Sequence, residues 1–478
     1  MKMEIFRTKR TELAFSFFGL ILLVSLPVWE WIPTHGWHDR QRMGQVFLVI
    51  LSAGAGLWLG VFKKYPKFLE RQIQYAIVIV AILGLISAAL ARQPIWALVE
   101  WSIFVGCLCM GWMVVFIHQR FRAQESDRLL LGAVFFVTTL ISLKFISHYI
   151  IFIIQGDKLL DVWWLIDGFD NPRFFGQFCS LTLPLMAVPL LEKESLGRFN
   201  KFGVWVLVLW WAQAIASGTR GTWLGMAGAM AVLACLGPLG RRWVMAQCMG
   251  IAGGWILFSI LLVWLPNLLD VEVMNAAGSR LTTSLSARET IWHQALEMIA
   301  QKPWLGFGPM HFADISNPIA AHPHQAILQW ASEWGIPSVL LVCSVAGYGF
   351  WGIFCRIKTQ ALHSDRKSIL YVCLSASIFS SLLQSMVDGV FVMPYTELWL
   401  TLSIAWLMAL HHQLNTEAGK DYLCKPAAYI FSTAFVAAAL LLLLAVIRYQ
   451  PESVPPQQGS EHFQPRFWVQ GVIAFKKP

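Results

Sequence analysis

The chain has 478 residues, of which 57% are hydrophobic and 13% charged, with a formal net charge of +9. A soluble domain carries about a quarter of its residues as Asp, Glu, Lys and Arg, so a soluble globular protein is excluded. The positive balance does not argue for nucleic acid as a partner, because in so apolar a chain basic loops set orientation across a bilayer.

Apolar runs of about 20 residues recur along the whole chain and are continuous rather than alternating, which predicts membrane-spanning helices, not barrel strands. Their approximate limits are 12–31, 44–62, 73–91, 95–118, 129–154, 174–191, 203–217, 221–238, 243–265, 336–355, 369–388, 395–411 and 427–447. The expected fold class is an all-α polytopic membrane protein with about 12–13 transmembrane helices and a helical periplasmic loop. The N-terminal MKMEIFRTKR and the apolar run from Leu13 have the layout of a signal peptide. The run continues into Trp29, Trp31 and Pro33 without a small-residue cleavage site, which predicts an uncleaved first span. The short runs near 203–217 and 221–238 are joined by SGTRG (Ser217–Gly221). The nine cysteines include no CxxC pair, so neither a disulfide framework nor a zinc site is expected.

With the N-terminus in the cytoplasm, the basic loops KKYPKFLER (63–71), QRFRAQESDR (119–128) and RIKTQALHSDRK (356–367) fall inside, as positively charged loops should. Arg173, Arg220, the loop 266–335, Asp388 and the tail 448–478 then share the opposite face. The chain divides into N-terminal helices (1–160), a core (161–411) that includes the loop, a last span (412–447) and the tail. The tail, with its stretch PESVPPQQGSEHFQP, is expected to be loose.

Within the loop, Ser286 and Glu289 form a capping box that starts a helix of about four turns through Gln301. Ile291, Trp292, Ala295, Leu296 and Ile299 form its apolar face, and Lys302-Pro303 stops it. GFGPM (306–310) predicts turns. A second short helix is expected from His324 to Trp334, with Ile327, Leu328, Ala331 and Trp334 on its apolar side, before Gly335 and Pro337 break it. Both helices suit the membrane interface.

Several residues in these segments can carry chemistry. Arg220 stands between two helix ends, where a charge at membrane depth is expensive and its guanidinium suits phosphate; the bland alternative is a snorkelling arginine. Arg288 lies in the first turn of the loop helix, against the dipole, which points either to a bound anion or to a solvated surface charge. Arg280 is similar and less defined. His324 is a candidate base, since imidazole titrates near neutrality. A metal held by His311, His322 and His324 is conceivable, but the chain lacks HExxH and has little carboxylate nearby. Asp388, in QSMVDGVF, can orient a histidine, pair with an arginine or simply end a helix. Lys144 and His148 lie one turn apart within a predicted span, and no role is assigned to them.

The ordered set NPRFFGQF (171–178), SGTRGTWLG (217–225), SARETIWHQALEMIAQKPWLGFGPMHF (286–312) and HQAILQWASEWGIPS (324–338) resembles the O-antigen ligase family of bacterial membrane glycosyltransferases, which includes protein O-oligosaccharyltransferases. The resemblance covers roughly residues 160–410. His324, Gln325 and Gly335 fit the family's spaced pattern, and Ser338 stands where that pattern has Gly, Thr or Tyr. It implies en bloc transfer of a glycan from undecaprenyl diphosphate to an acceptor hydroxyl, on lipid A–core or on a pilin-like protein, at the periplasmic face of the inner membrane. It further implies that His324 is the base, that Arg220, Arg288 and Arg173 hold the diphosphate, that His322, Gln325 and Asp388 support them, and that neither metal nor other cofactor is needed. A related glycan polymerase, or a secondary transporter, are the alternatives; the charges gather on one face and no internal repeat is visible, which weighs against the transporter.

Overall fold

A computed structural model describes residues 17–30, 36–62, 68–121, 123–192, 197–274, 288–315, 319–359, 365–414, 425–449, 466–469, 471 and 473. The main elements in chain order are α1 (Trp37–Phe62), α2 (Arg71–Ala89), α3 (Pro94–Arg120), α4 (Ala123–Gln155), β1 (Leu159–Asp161), α5 (Pro172–Thr182), α6 (Gly197–Ala216), α7 (Arg220–Ala234) and α8 (Pro238–Ser259). They continue with β2 (Glu272–Met274), α9 (Arg288–Gln301), α10 (Ala326–Trp334), α11 (Ile336–Thr359), α12 (Arg366–Ser385), α13 (Pro394–Leu414) and α14 (Lys425–Arg448). The protein is an all-α polytopic membrane protein. Its only sheet among the described residues is the short parallel pair β1–β2, with Leu159 opposite Glu272.

Among the described residues, seven helices are long and apolar enough to cross a membrane. An eighth span results if the pair Pro172–Thr182 and Leu185–Leu191, bent by 46°, counts as one. The expected 12–13 spans are therefore not all matched. One of the unmatched spans, 221–238, has a geometric reason at SGTRG. Gly218 turns the chain at φ +61° and Thr219 restarts it, so α7 has only 15 residues. At 1.5 Å per residue it is about 22 Å long, short of the roughly 30 Å hydrocarbon core. The start of the expected first span, Arg280, the capping-box Ser286 and the tail residues 451–465 lie outside the described residues.

The chain folds into two compact units. The first comprises residues 1–31, 117–283 and 354–384. Its interior is polar at many points: the Trp210 indole donates to Thr182 Oγ1 at 3.0 Å, the Trp211 indole to Gln247 Oε1 at 3.0 Å, and Gln213 Nε2 to Ser142 Oγ at 2.7 Å. Such bonds hold helices together where no water competes. Within this unit Lys144, unassigned by sequence, forms an ion pair with Asp167.

The second unit comprises residues 32–116, 284–353 and 385–478. Helix α9 buries Ile291, Ala295 and Met298 against Phe312 and Ala320. The expected face is thereby corrected: Leu296 is exposed and Met298 takes the inner position, because a 3.6-residue period returns to one face at i, i+4 and i+7. On α10, likewise, Ala331 and Trp334 are buried but Ile327 is exposed. Two glycines lock the turn 303–308 onto the end of α10. Gly306 (φ +69°) and Gly335 (φ +84°) have conformations that L side chains rarely adopt. A Cβ on Gly306 would lie 2.4 Å from the Glu333 backbone, and one on Gly335 would lie 2.2 Å from the Trp304 carbonyl oxygen. The Ile336 amide donates to the Pro303 carbonyl at 2.8 Å and the Phe307 amide to the Ser332 carbonyl at 2.9 Å, closing the joint.

The tail departs most from expectation. Arg466, Phe467 and Trp468 are buried rather than loose. The Ile473 amide donates to the Ala313 carbonyl at 3.1 Å, and the Trp468 indole to the Tyr449 carbonyl at 2.6 Å.

Gly335→Ala is expected to destabilise the protein by more than about 1 kcal/mol, since it adds a clash to a positive φ. Gly54→Ala, with nothing within 4 Å of the added methyl, serves as the control. Thermal melts of the detergent-solubilised variants decide the point: equal midpoints for the two would remove the packing role of Gly335.

Candidate active site

The residues singled out by sequence fall into two groups, one in each unit. In the first unit, Asn171 caps α5, its Oδ1 accepting from the Arg173 amide at 2.9 Å, and Pro172 fills the first helical position. Thr219 Oγ1 donates to the Pro172 carbonyl at 3.1 Å, and Thr222 Oγ1 to the Gly176 carbonyl at 2.7 Å. A Cβ on Gly176 would lie 2.5 Å from Thr219, so only glycine allows this approach. The first turns of α5 and α7 therefore abut. Each carries a half-buried arginine, Arg173 at the second position of α5 and Arg220 at the first of α7. Both cations sit at the positive end of a helix dipole, where an anion is the stabilising species.

In the second unit, Arg288 opens α9 and is half-buried. The histidine loop 321–325 lies between α9 and α10. The Trp292 indole of α9 donates to the Pro323 carbonyl at 3.0 Å. Helix α10 begins at Ala326, not at His324: Gln325 is its N-cap and accepts from the Leu328 amide. That frees His324 from helical geometry, and it adopts φ +51°. A non-glycine residue in this region is uncommon and marks a local constraint.

The constraint has a visible source. The His324 amide donates to His322 Nδ1 at 3.3 Å, and the two rings meet edge to face with centroids 4.2 Å apart. His322 is 1% exposed and presses on Gly389, where a Cβ would come within 2.4 Å of the ring. The side chain of His324 is 20% exposed, and its Nδ1 lies 3.9 Å from Asp388 Oδ1. Asp388 also accepts from the Gly389 amide at 2.8 Å. The structure thus brings His322, His324, Gln325 and Asp388 together. Ser338 is buried and accepts from the Trp330 indole at 3.0 Å, so a hydroxyl at this position has a structural partner.

His311 belongs elsewhere. Its Nε2 accepts from the Gln93 amide at 2.9 Å and its Nδ1 faces the Pro309 carbonyl at 3.0 Å, which occupies both ring nitrogens. Among the described residues no three His, Cys, Asp or Glu side chains are grouped to hold a metal.

Burial pushes the His322 pKa well down, with the neighbouring His324 and the Arg466 charge acting in the same direction. Burial also lowers that of His311, against the pull of the Pro309 carbonyl. A neutral His322 suits its role as acceptor through Nδ1, with the ring proton on Nε2.

Sequence reasoning missed a second set of charged residues in this unit. The run HDRQRMGQ (38–45) reads as a polar loop, yet it forms the start of α1 with His38, Asp39, Arg42 and Gln45 buried. Glu333, inside the expected second helix, and Arg466, in the tail, are also buried and pair at 2.6 Å. The available signal was the charge itself: four ionisable residues in eight positions beside an apolar run call for partners.

Residues 205–343 match the family model described as O-antigen ligase. Over this segment the chain is similar to O-antigen ligases. The matched segment contains Arg220, Arg288, His324, Gln325 and Gly335, whereas Arg173, Asp388 and the tail lie beyond it. No curated protein matches the chain in sequence. The similarity supports glycan transfer in general terms, by a membrane enzyme of the glycosyltransferase type.

The lowered His322 pKa fixes a direction for stability against pH. An unfolded histidine takes up a proton near pH 6.5. The buried one resists it until lower pH, so its contribution is complete above that value and is lost as pH falls toward the folded pKa. On going from pH 7.5 to 5.5, the melting temperature is expected to fall more for the wild type than for His322→Asn, whose side-chain oxygen can still accept from the His324 amide. Residual slope from His311 remains in both; identical slopes would assign no linkage to His322.

Proposed function

We propose that the protein transfers a preassembled glycan en bloc from undecaprenyl diphosphate to an acceptor hydroxyl on the periplasmic face of the bacterial inner membrane. The observation that carries this reading is the histidine of the matched segment, one-fifth exposed just before the N-cap of α10 with a carboxylate 3.9 Å from its ring. His324 takes the proton of the acceptor hydroxyl as its oxygen bonds to the anomeric carbon of the glycan. The bond from that carbon to the diphosphate oxygen breaks, and the electron pair leaves with undecaprenyl diphosphate. A separation of 3.9 Å is longer than a hydrogen bond. It shortens readily as the ring becomes cationic, so Asp388 stabilises the imidazolium that the transfer creates. Gln325 and His322 hold the backbone that aims the ring.

Arg220 and Arg173, in the abutting first turns of α5 and α7, take the diphosphate, and Arg288 adds a third cation. Fixed cations where leaving-group charge develops lower the barrier most when they need no rearrangement. No metal is required by this scheme, because the guanidinium groups supply the charge. The acceptor is a lipid A–core sugar or a Ser/Thr hydroxyl of a pilin-like protein.

His324→Ala is expected to lower transfer by about 10²–10⁴-fold with normal membrane insertion. Arg220→Lys is expected to retain charge yet recover only part of the rate lost in Arg220→Ala, because an ammonium lacks the bidentate fork. Undiminished transfer by His324→Ala would remove the proposed base. In a deletion strain, intact lipopolysaccharide with unmodified pilin selects the protein acceptor, and truncated lipopolysaccharide selects lipid A–core. Intact glycans with a defect in substrate uptake would favour a transporter.

A further inference from the structure

The chain beyond the last span returns to the histidine loop. Arg466 is fully buried within the second unit. Its Nη2 donates to Glu333 Oε2 of α10 at 2.6 Å and to Glu100 Oε1 of α3 at 3.2 Å, while Nη1 reaches the Ala321 carbonyl at 3.5 Å. Ala321 is three residues before His324. Glu333 spends its other oxygen on the Phe312 amide at 3.0 Å. The guanidinium therefore ties together both ends of the segment from the histidine loop through α10.

A second buried arginine holds the first in place. Arg42 of α1 donates from Nε to the Phe467 carbonyl at 3.2 Å and from Nη2 to the Arg466 carbonyl at 3.1 Å. It also donates from Nη2 to the Val392 carbonyl at 2.7 Å, from Nη1 to Glu397 Oε2 at 2.8 Å, and to Gln45. Val392 lies four residues after Asp388. The two arginines thus brace the His324 loop and the Asp388 loop through one piece of tail.

We infer that Arg466 is a positioning residue for glycan transfer, and that the tail segment Arg466–Val469 is part of the active-site framework, setting the His324 loop through Ala321 and Glu333. This rests on the reading of His324 as the base. Removing the guanidinium leaves the Ala321 carbonyl without its anchor and lets the histidine loop drift from Asp388. A displacement of about 1 Å at a reacting group costs up to about a hundredfold in rate.

Arg466→Met alone strands two carboxylates and invites misfolding. The informative variant is Arg466→Met/Glu333→Gln, which removes the fully buried ion pair, keeps an acceptor for the Phe312 amide and leaves only the partly exposed Glu100 without its partner. Two readouts are taken on the full-length protein. The first is steady-state transfer, beside the wild type and His324→Ala. The second is labelling of individual histidines by diethyl pyrocarbonate, read by mass spectrometry, which needs no activity. In the wild type His324 is expected to label and the buried His322 to be protected.

In the double variant kcat is expected to fall by about tenfold or more with KM little changed, because the effect is on orientation of a reacting group. His322 is expected to label at a rate approaching that of His324, and Arg466→Lys to restore both readouts in part. Wild-type kcat together with a protected His322 in the double variant overturns the inference, as does a fall confined to KM. A wild type that transfers no glycan overturns the reading of function, while the labelling still decides whether Arg466 sets the loop.

Discussion

A charge buried in protein within a membrane must be matched group by group, because neither water nor lipid will do it. In the second unit Arg42 meets that requirement through all three of its nitrogens, and Arg466 through its two terminal ones. The donors of Arg42 are spent on two side chains and three carbonyls drawn from its own helix and two distant parts of the sequence. Once such a group is inside, every segment that supplies an acceptor is fixed with it. Removing one partner leaves an uncompensated buried charge, a loss on the order of 3–5 kcal/mol. The C-terminal segment is therefore held by its paired polar groups, and Phe467 and Trp468 add packing against each other and Trp96.

Glycine governs the second level of organisation. Gly176 lets Thr219 and Thr222 reach the backbone of α5, and Gly306 and Gly335 let the 303–308 turn touch the end of α10. These are the glycines of the motif pieces NPRFFGQF, GFGPM and GIPS. In each piece the glycine makes the approach possible, and at Gly176 it brings the first turn of α5, with Arg173, against that of α7, with Arg220. Spacing in the motifs is consequently a packing requirement as much as a chemical one. Gly335 recurs eleven positions after His324 because α10 needs nine residues to return the chain to Trp304.

Much of this was legible in sequence. Continuous apolar runs gave the fold class, SGTRG the break between α6 and α7, and Lys302-Pro303 the end of α9. The grouping of His322, His324 and Asp388 was readable only as a set of candidates on one predicted face. Three features were out of reach for physical reasons. The polar run 38–45 helps to start a helix because its partners, Glu397 and the tail carbonyls, lie more than 350 residues away in the chain. The tail reads as loose because its composition is polar and proline-rich up to residue 465, and its docking depends on one arginine. The onset of α10 shifts by two residues because a glutamine cap at Gln325 competes with the histidine for the helix start.

That two-residue shift bears on the chemistry. Had His324 begun the helix, its backbone would be helical and its amide would have no reason to meet His322. Instead Gln325 satisfies the Leu328 amide, and His324 is left in the left-handed region at φ +51°. For an L residue this costs roughly 1–2 kcal/mol relative to the right-handed form. Neighbours offset it: the bond to His322, the Trp292 bond to Pro323, and the anchoring of Ala321 by Arg466. The same constraint turns the ring toward Asp388 and leaves a fifth of it exposed. A base held in this way loses little freedom when an acceptor arrives, so the strain at His324 is balanced by contacts that also aim it.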